Sequence, residues 1–282
     1  DNVKISSRKT INYSSKEARK LIEKYSLDKI PVLIITGGVD KLGLDANVFR
    51  INGKTAIFDK PVPYLDLSSE QVKGKVKLKE IFDSSCKECT SLSNIGTQLE
   101  KLQIKVENYE MVPANSEQGK LLIGENKINY LPNLLVSKEI KEYWWIFDKI
   151  KGSFDENEEY YRFVEPTFPS KEISSGLVKG KVKITYITNN SCEDCFNVTQ
   201  LKSSFQSLGV YFDGEEYVDI SSEQGMSLLK EYNITAIPTL ILSEEIGDYT
   251  TLKKILEGVG SFVNKKYVFR KLDALNVKYQ EV

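Results

Sequence analysis

The chain has 282 residues, 40% of them apolar, with 39 basic against 40 acidic side chains and a net charge of −1. That length allows two domains and part of a third, and near-neutrality leaves no electrostatic case for nucleic acid or an anionic membrane as partner. No apolar run approaches the roughly 18 residues of a membrane span. No histidine occurs, which excludes His-dependent zinc sites, Ser-His-Asp and Cys-His catalysis, and Cys-x-x-Cys-His haem attachment.

Residues 1–68 read as part of a repeat. Ser14-Ser15 through Ile30-Pro31 aligns without a gap with Ser221-Ser222 through Ile237-Pro238. The segment is expected to hold a strand, a helix, Pro31 and two further strands. Val32-Leu33-Ile34-Ile35 is expected to be a buried core strand. The alignment places Asp1 after the position of the Cys-x-x-Cys helix. A missing first half upstream of Asp1 is therefore expected, with a degenerate N-terminal cap as the alternative.

Residues 69–168 form the first full copy. Val76–Phe82 is expected as a strand, and Cys86 to Leu102 as a helix with Ile95, Leu99 and Leu102 at helical spacing. Val106 to Val112 is the next strand. Ser116 then opens an amphipathic helix, and Pro132 opens a short apolar strand. Residues 138–149 read as an extra helix, where Tyr143-Trp144-Trp145 is expected to be core. Tyr161-Arg162-Phe163 is a last strand, and Pro166 to Gly176 a linker. Residues 169–282 repeat this order at an offset of 106 as far as Tyr143 on Tyr249, and of 108 from Gly152 on Gly260 onwards. Cys86-Lys87-Glu88-Cys89 falls on Cys192-Glu193-Asp194-Cys195, Ser116-Glu117-Gln118-Gly119 on Ser222-Glu223-Gln224-Gly225, and Pro132 on Pro238. A period of this size is a duplicated domain, not a solenoid unit.

Each full copy, with a Cys-x-x-Cys opening a helix and an apolar-Pro step 43 positions after the second cysteine, resembles the thioredoxin-like superfamily. It is also similar to extracytoplasmic thioredoxin-like proteins of prokaryotes. The resemblance implies an α/β fold of tandem thioredoxin-like domains, two complete and one partial, each a three-layer α/β/α sandwich. It implies Cys86 and Cys192 as nucleophiles, activated by a helix N-terminus, with Cys89 and Cys195 as resolving thiols. Pro132 and Pro238 would be the cis-prolines beside the sulfurs, leaving neighbouring backbone free for an extended substrate. Glu80, six positions before Cys86, takes the place of a buried acid that assists the second cysteine; Tyr186 stands there in the other copy. The competing reading of Glu80 is a solvent-facing strand residue.

Three readings of the cysteines remain open at this point. They are thiol–disulfide exchange on protein thiols or disulfides, structural disulfides in a binding or scaffold protein, and a four-cysteine zinc site. The last needs pairs about 100 residues apart to meet, far beyond ribbon spacing. All four cysteines fall in the two pairs, which suits an oxidising, extracytoplasmic compartment as well as a cytosolic redox protein. No cofactor is expected.

Overall fold

The computed structural model describes residues 5–282. The chain forms two compact units. The first comprises residues up to Glu80 together with 93–111 and 134–164; the second comprises 81–92, 112–133 and 165–282. Both Cys-x-x-Cys motifs belong to the second.

In the first unit, helix Lys16–Tyr25 starts where the Ser15 hydroxyl accepts the Ala18 N–H. A three-stranded antiparallel sheet follows, ordered Leu33–Thr36, Thr55–Phe58, Arg50–Asn52. The strand expected here as buried core is not buried. Leu33–Thr36 lies at the sheet edge and Leu33 is 54% exposed. The physical reason is its position: the corresponding strands Asn133–Ser137 and Thr239–Leu242 have a strand on either side, and this one has a partner on one side. A five-stranded sheet, most of whose residues belong to this unit, runs Val106–Pro113, Val76–Phe82, Asn133–Ser137, Tyr160–Phe163, Phe154–Glu156.

The second unit has a five-stranded sheet of the same order: Tyr211–Asp219, Lys181–Thr188, Thr239–Leu242, Lys266–Phe269, Gly260–Val263. The first two strands are parallel and joined through a helix, and the rest are antiparallel. Side chains alternate across the pleat. Leu240 and Leu242 join one buried cluster with Leu201 and Phe205 of helix Leu201–Ser207. Ile241, between them, joins a second cluster against Leu228 and Leu229 of helix Glu223–Glu231. The sheet thus carries helices on both faces, and its first strand sits centrally between a parallel and an antiparallel neighbour. This mixed α/β arrangement is thioredoxin-like.

Two devices recur at the same offset. Tyr143 donates its hydroxyl to the Gly74 carbonyl and accepts the Lys105 N–H, both at 2.7 Å. Tyr249 does the same with Gly180 at 2.7 Å and Tyr211 at 2.9 Å. Each buried ring ties the start of one strand to the start of the next, so Tyr143 is core as expected, while Trp144 beside it is 45% exposed. The Ser-Glu-Gln-Gly motif is a helix start. Ser116 and Ser222 accept the N–H of Gly119 and Gly225 at 2.9 and 3.0 Å. A Cβ on those glycines would sit 2.1 Å from the Pro113 carbonyl oxygen and 2.2 Å from that of Asp219, so no other residue fits without backbone movement.

Candidate redox sites

Each Cys-x-x-Cys follows the first strand of its copy, Val76–Phe82 or Lys181–Thr188, through a side-chain-stabilised turn. Asp83 accepts the Ser85 N–H at 2.8 Å, and its carbonyl accepts the Cys86 N–H at 3.1 Å. Asn189 takes the same role, with the Ser191 N–H at 2.9 Å and the Cys192 N–H at 3.1 Å. Such short polar residues hold turns by bonding backbone two positions on. Cys86 is disulfide-bonded to Cys89, and Cys192 to Cys195. All four cysteines are partly exposed.

The helix expected to begin at each first cysteine begins later. The first runs Asn94–Lys101. In the second copy a 3-10 turn, Val198–Gln200, precedes helix Leu201–Ser207. Asn197 explains the delay there, because its side chain accepts the Thr199 N–H at 3.1 Å and so starts helical structure two residues past Cys195. Because helix-dipole effects fade beyond the first turn, neither Cys86 nor Cys192 has the helix N-terminal activation expected from the sequence.

The prolines are in cis linkage at Leu131–Pro132 and Ile237–Pro238, and also at Ile30–Pro31 in the N-terminal segment. The residue pairs before them form two-residue strands, Tyr130–Leu131 and Ala236–Ile237. Two hydrogen-bonding sets link each such strand to its cysteine loop through one further segment. The Thr90 N–H donates to the Pro169 carbonyl and the Thr90 hydroxyl to the Phe168 carbonyl, both at 2.8 Å. Two residues on, Lys171 pairs with Leu131 in an antiparallel ladder. In the other copy the Phe196 N–H donates to the Lys278 carbonyl at 2.9 Å, and Gln280 pairs with Ile237. Residues 168–172 and 278–281 therefore run from the residue after the second cysteine to the residue before the cis-proline. Residues 168–172 fall in the stretch expected as a linker, Pro166 to Gly176, and the strand there corrects that expectation.

Ion pairs surround the loops. Lys171 meets Asp83 at 2.6 Å, Lys181 meets Glu88 at 3.0 Å, and Lys278 meets Asp194 at 2.7 Å. The hydrogen bond from Lys171, with help from Ser85, holds the Asp83 carboxyl down at about 2. Lys278 likewise lowers Asp194, and the Glu88 and Asp213 carboxylates raise Lys181. These surface pairs orient more than they stabilise.

Glu80 is not the solvent-facing residue of the competing reading; it is 1% exposed. It accepts the Tyr109 hydroxyl, and burial followed by this bond raises the Tyr109 ionisation well above the ordinary range. The repeat places Tyr186 opposite Glu80 and Glu215 opposite Tyr109. Tyr186 is likewise raised, by burial first and then by the Glu215 charge. The carboxylate and the phenol have exchanged strands between the copies. Among the described residues no cluster of His, Cys, Asp or Glu could hold a metal ion, and no helix is long and apolar enough to cross a membrane.

No protein-family model matches the chain, and no curated protein matches it. Among solved structures it is similar to a protein disulfide oxidoreductase from Aeropyrum pernix K1, at 14% identity over 61% of this chain and 77% of that one, with a TM-score of 0.17. It is also similar to the N-terminal domain of the alkylhydroperoxide reductase AhpF from Enterococcus faecalis V583, at 18% identity, 60% and 82% coverage, and a TM-score of 0.18. A third similar structure is full-length ERdj5, at 6% identity, 77% and 28% coverage, and a TM-score of 0.19.

Proposed function

We propose that the chain is a thiol–disulfide oxidoreductase acting on thiols and disulfides of other proteins through two sites, Cys86–Cys89 and Cys192–Cys195. The observation that carries this reading is the pairing, in both copies, of a partly exposed Cys-x-x-Cys disulfide with a cis-proline strand connected to it through a short hydrogen-bonded segment. A partly exposed disulfide is open to attack, and the thiolate it releases can carry the reverse step. Cys86 and Cys192 are the attacking thiols in this scheme, and Cys89 and Cys195 resolve the mixed disulfide. The domain organisation that goes with it is residues 1–68, 69–168 and 169–282, the first without cysteines. An extracytoplasmic location suits the even pairing of every cysteine.

Insulin reduction with the full chain tests this. Cys86→Ser and Cys192→Ser should each remove exchange at their own site, and the double variant should be inactive. Full activity in the double variant would refute the proposal. A second reading, scaffold domains with structural disulfides, draws support from the N-terminal segment, which keeps the cis-proline strand and its covering segment without any cysteine. Reduction potentials separate the two readings: structural disulfides fall below about −300 mV, and exchanging ones lie above it.

A further inference from the structure

We propose that each redox site already holds a strand of this chain in the position an extended polypeptide substrate would take. Small thiols then reach the disulfides directly, and a polypeptide thiol only after that strand lifts. The inference rests on the exchange reading above and names which thiols the sites admit.

The argument begins with backbone groups. In an antiparallel ladder, opposed residues alternate between pairs that exchange both hydrogen bonds and pairs that exchange none. The Ile173 N–H donates to the Asn129 carbonyl at 2.8 Å. Glu172 and Tyr130 are the next pair and Lys171 and Leu131 the one after, so Leu131 is a bonded position with both its N–H and C=O taken by Lys171. The second site has the same phase. The Val282 N–H donates to the Thr235 carbonyl at 3.0 Å, and two pairs on, Gln280 takes both groups of Ile237. The N-terminal segment repeats it once more: the Leu67 N–H donates to the Asp28 carbonyl at 2.8 Å, and Leu65 takes both groups of Ile30.

An extended peptide binds an exposed strand through these same main-chain groups. At each site the groups such a peptide would use are those of the residue before the cis-proline and the N–H after the second cysteine. Both are occupied by one short segment, which at roughly 3.3 Å per residue spans about 7 Å from Pro169 to Lys171. A polypeptide cannot pair there without displacing it. The sulfurs themselves are not sealed, since all four cysteines keep partial exposure.

The small-thiol reaction needs no strand movement. A small thiolate attacks Sγ of one cysteine, forming a mixed disulfide and releasing its partner as a thiolate. A second small thiolate attacks the external sulfur, forming the small disulfide and releasing the remaining cysteine. Two electrons pass to the protein, and the two protons lost by the small thiols are balanced by protonation of the two cysteines.

The test uses the full oxidised chain, with mercaptoethanol and an unstructured cysteine-bearing peptide as the two reductants. Rates are compared per thiolate and read at each site by alkylation and mass spectrometry. The peptide should be slower than mercaptoethanol on the order of tenfold at both sites, about the effect of one or two net hydrogen bonds. Lys171→Pro removes an N–H donated to Leu131 and should raise the peptide-to-mercaptoethanol ratio several-fold at Cys86–Cys89 only. Gln280→Pro should do so at Cys192–Cys195 only. Thr90→Val, which loses one side-chain bond to the covering segment, is the gentler variant if a proline prevents folding, and should move the ratio in the same direction. Equal rates for the two thiols in the parent protein, or a ratio unmoved by the folded variants, would overturn the proposal. Disulfides inert to both thiols in excess would overturn the exchange reading along with it.

Discussion

The two disulfide sites share a backbone plan and differ in charge. Both place the first cysteine with a turn built on a short polar side chain, Asp83 in one and Asn189 in the other. The first turn is built on an anion that a lysine of the covering strand, Lys171, pairs with, whereas the second is built on a neutral amide and takes its carboxylate from Asp219, which accepts the Asn190 N–H at 2.6 Å. Between the cysteines, Lys87 and Glu88 balance one another, whereas Glu193 and Asp194 are both acidic. Lys181 answers Glu88 and Lys278 answers Asp194, which leaves Glu193 as the excess negative charge at the second site. The copies therefore show what this fold fixes, the turn and the ladder, and what it leaves variable, the potential at the sulfurs.

The first way to break that comparison is to remove a shared part. Tyr143→Phe and Tyr249→Phe each leave a backbone carbonyl and a backbone N–H without the hydroxyl. Each should lower unfolding stability by about 1–3 kcal/mol, to a similar extent, in urea titration of the full chain. A loss confined to one variant would show that the matching geometry hides different energetics.

The Asp83–Lys171 tie exists at one site only. The Asp83 carboxyl is depressed to about 2 in the folded protein, against about 3.9 in an unfolded chain. Its contribution is thus fully present above the unfolded value and is lost as pH falls through the folded one. Asp83→Asn should cost on the order of 1 kcal/mol near pH 5 after allowance for the partial exposure of both side chains, and the gap from the parent should close towards pH 2. A gap independent of pH would mean that the turn, not the ion pair, is what Asp83 supplies.

A smaller effect sharpens the electrostatic difference. With no helix start at either first cysteine, local charge sets the ranking. Cys192 should have the higher thiol pKa of the two, by on the order of half a unit given solvent screening. Iodoacetamide trapping against pH on the reduced chain measures it, and Cys192 titrating below Cys86 would reverse the assignment. The smallest effect concerns the sheets. Amides of Leu33–Thr36, at an edge, should exchange with solvent faster than those of Asn133–Ser137 and Thr239–Leu242 inside their sheets; equal protection would show that the exposed edge is covered in solution.

Much of this plan was legible in the sequence. The offset paired the helix starts at Ser116 and Ser222 and the two prolines, because each depends on a few local residues, and the thioredoxin-like resemblance implied the strand order and the cis linkages. The late helix starts were hidden because apolar spacing reports which face is buried, not where a backbone first turns helical; Asn197 as a cap was the available signal. The strands Phe154–Glu156 and Gly260–Val263 escaped because each is short and, among the described residues, pairs with the next strand of its hairpin alone. The covering strands were missed because they themselves differ, Tyr64-Leu65-Asp66 against Ser170-Lys171-Glu172, and only their flanks repeat: Val72-Lys73-Gly74-Lys75 recurs as Val178-Lys179-Gly180-Lys181, and Pro63 as Pro169. Linkers under no constraint diverge, so a linker whose flanks repeat is itself a structural element. The swap of Glu80 and Tyr109 for Tyr186 and Glu215 was invisible for another reason. Position by position the residues differ, and only the fold sets a carboxylate beside a buried phenol on neighbouring strands in both copies, hydrogen-bonded in the first and as a nearby charge in the second.

The covering strands also set where the chain can be cut. Residues 64–66 and 170–172 close the copy they follow and then turn back through a hairpin, to Gln71–Lys73 and Val178–Lys179, before the next central strand begins. Synthesis from the N-terminus thus finishes each proline-bearing edge late: Ile30 waits for Leu65, Leu131 for Lys171 and Ile237 for Gln280. A ribosome-bound fragment ending just after Phe163 would have made every core strand of its sheet while its Leu131 edge stayed unpaired, open to a chaperone or to another chain. Closure comes only when the connecting segment has emerged, which makes the order of synthesis part of how these edges are protected.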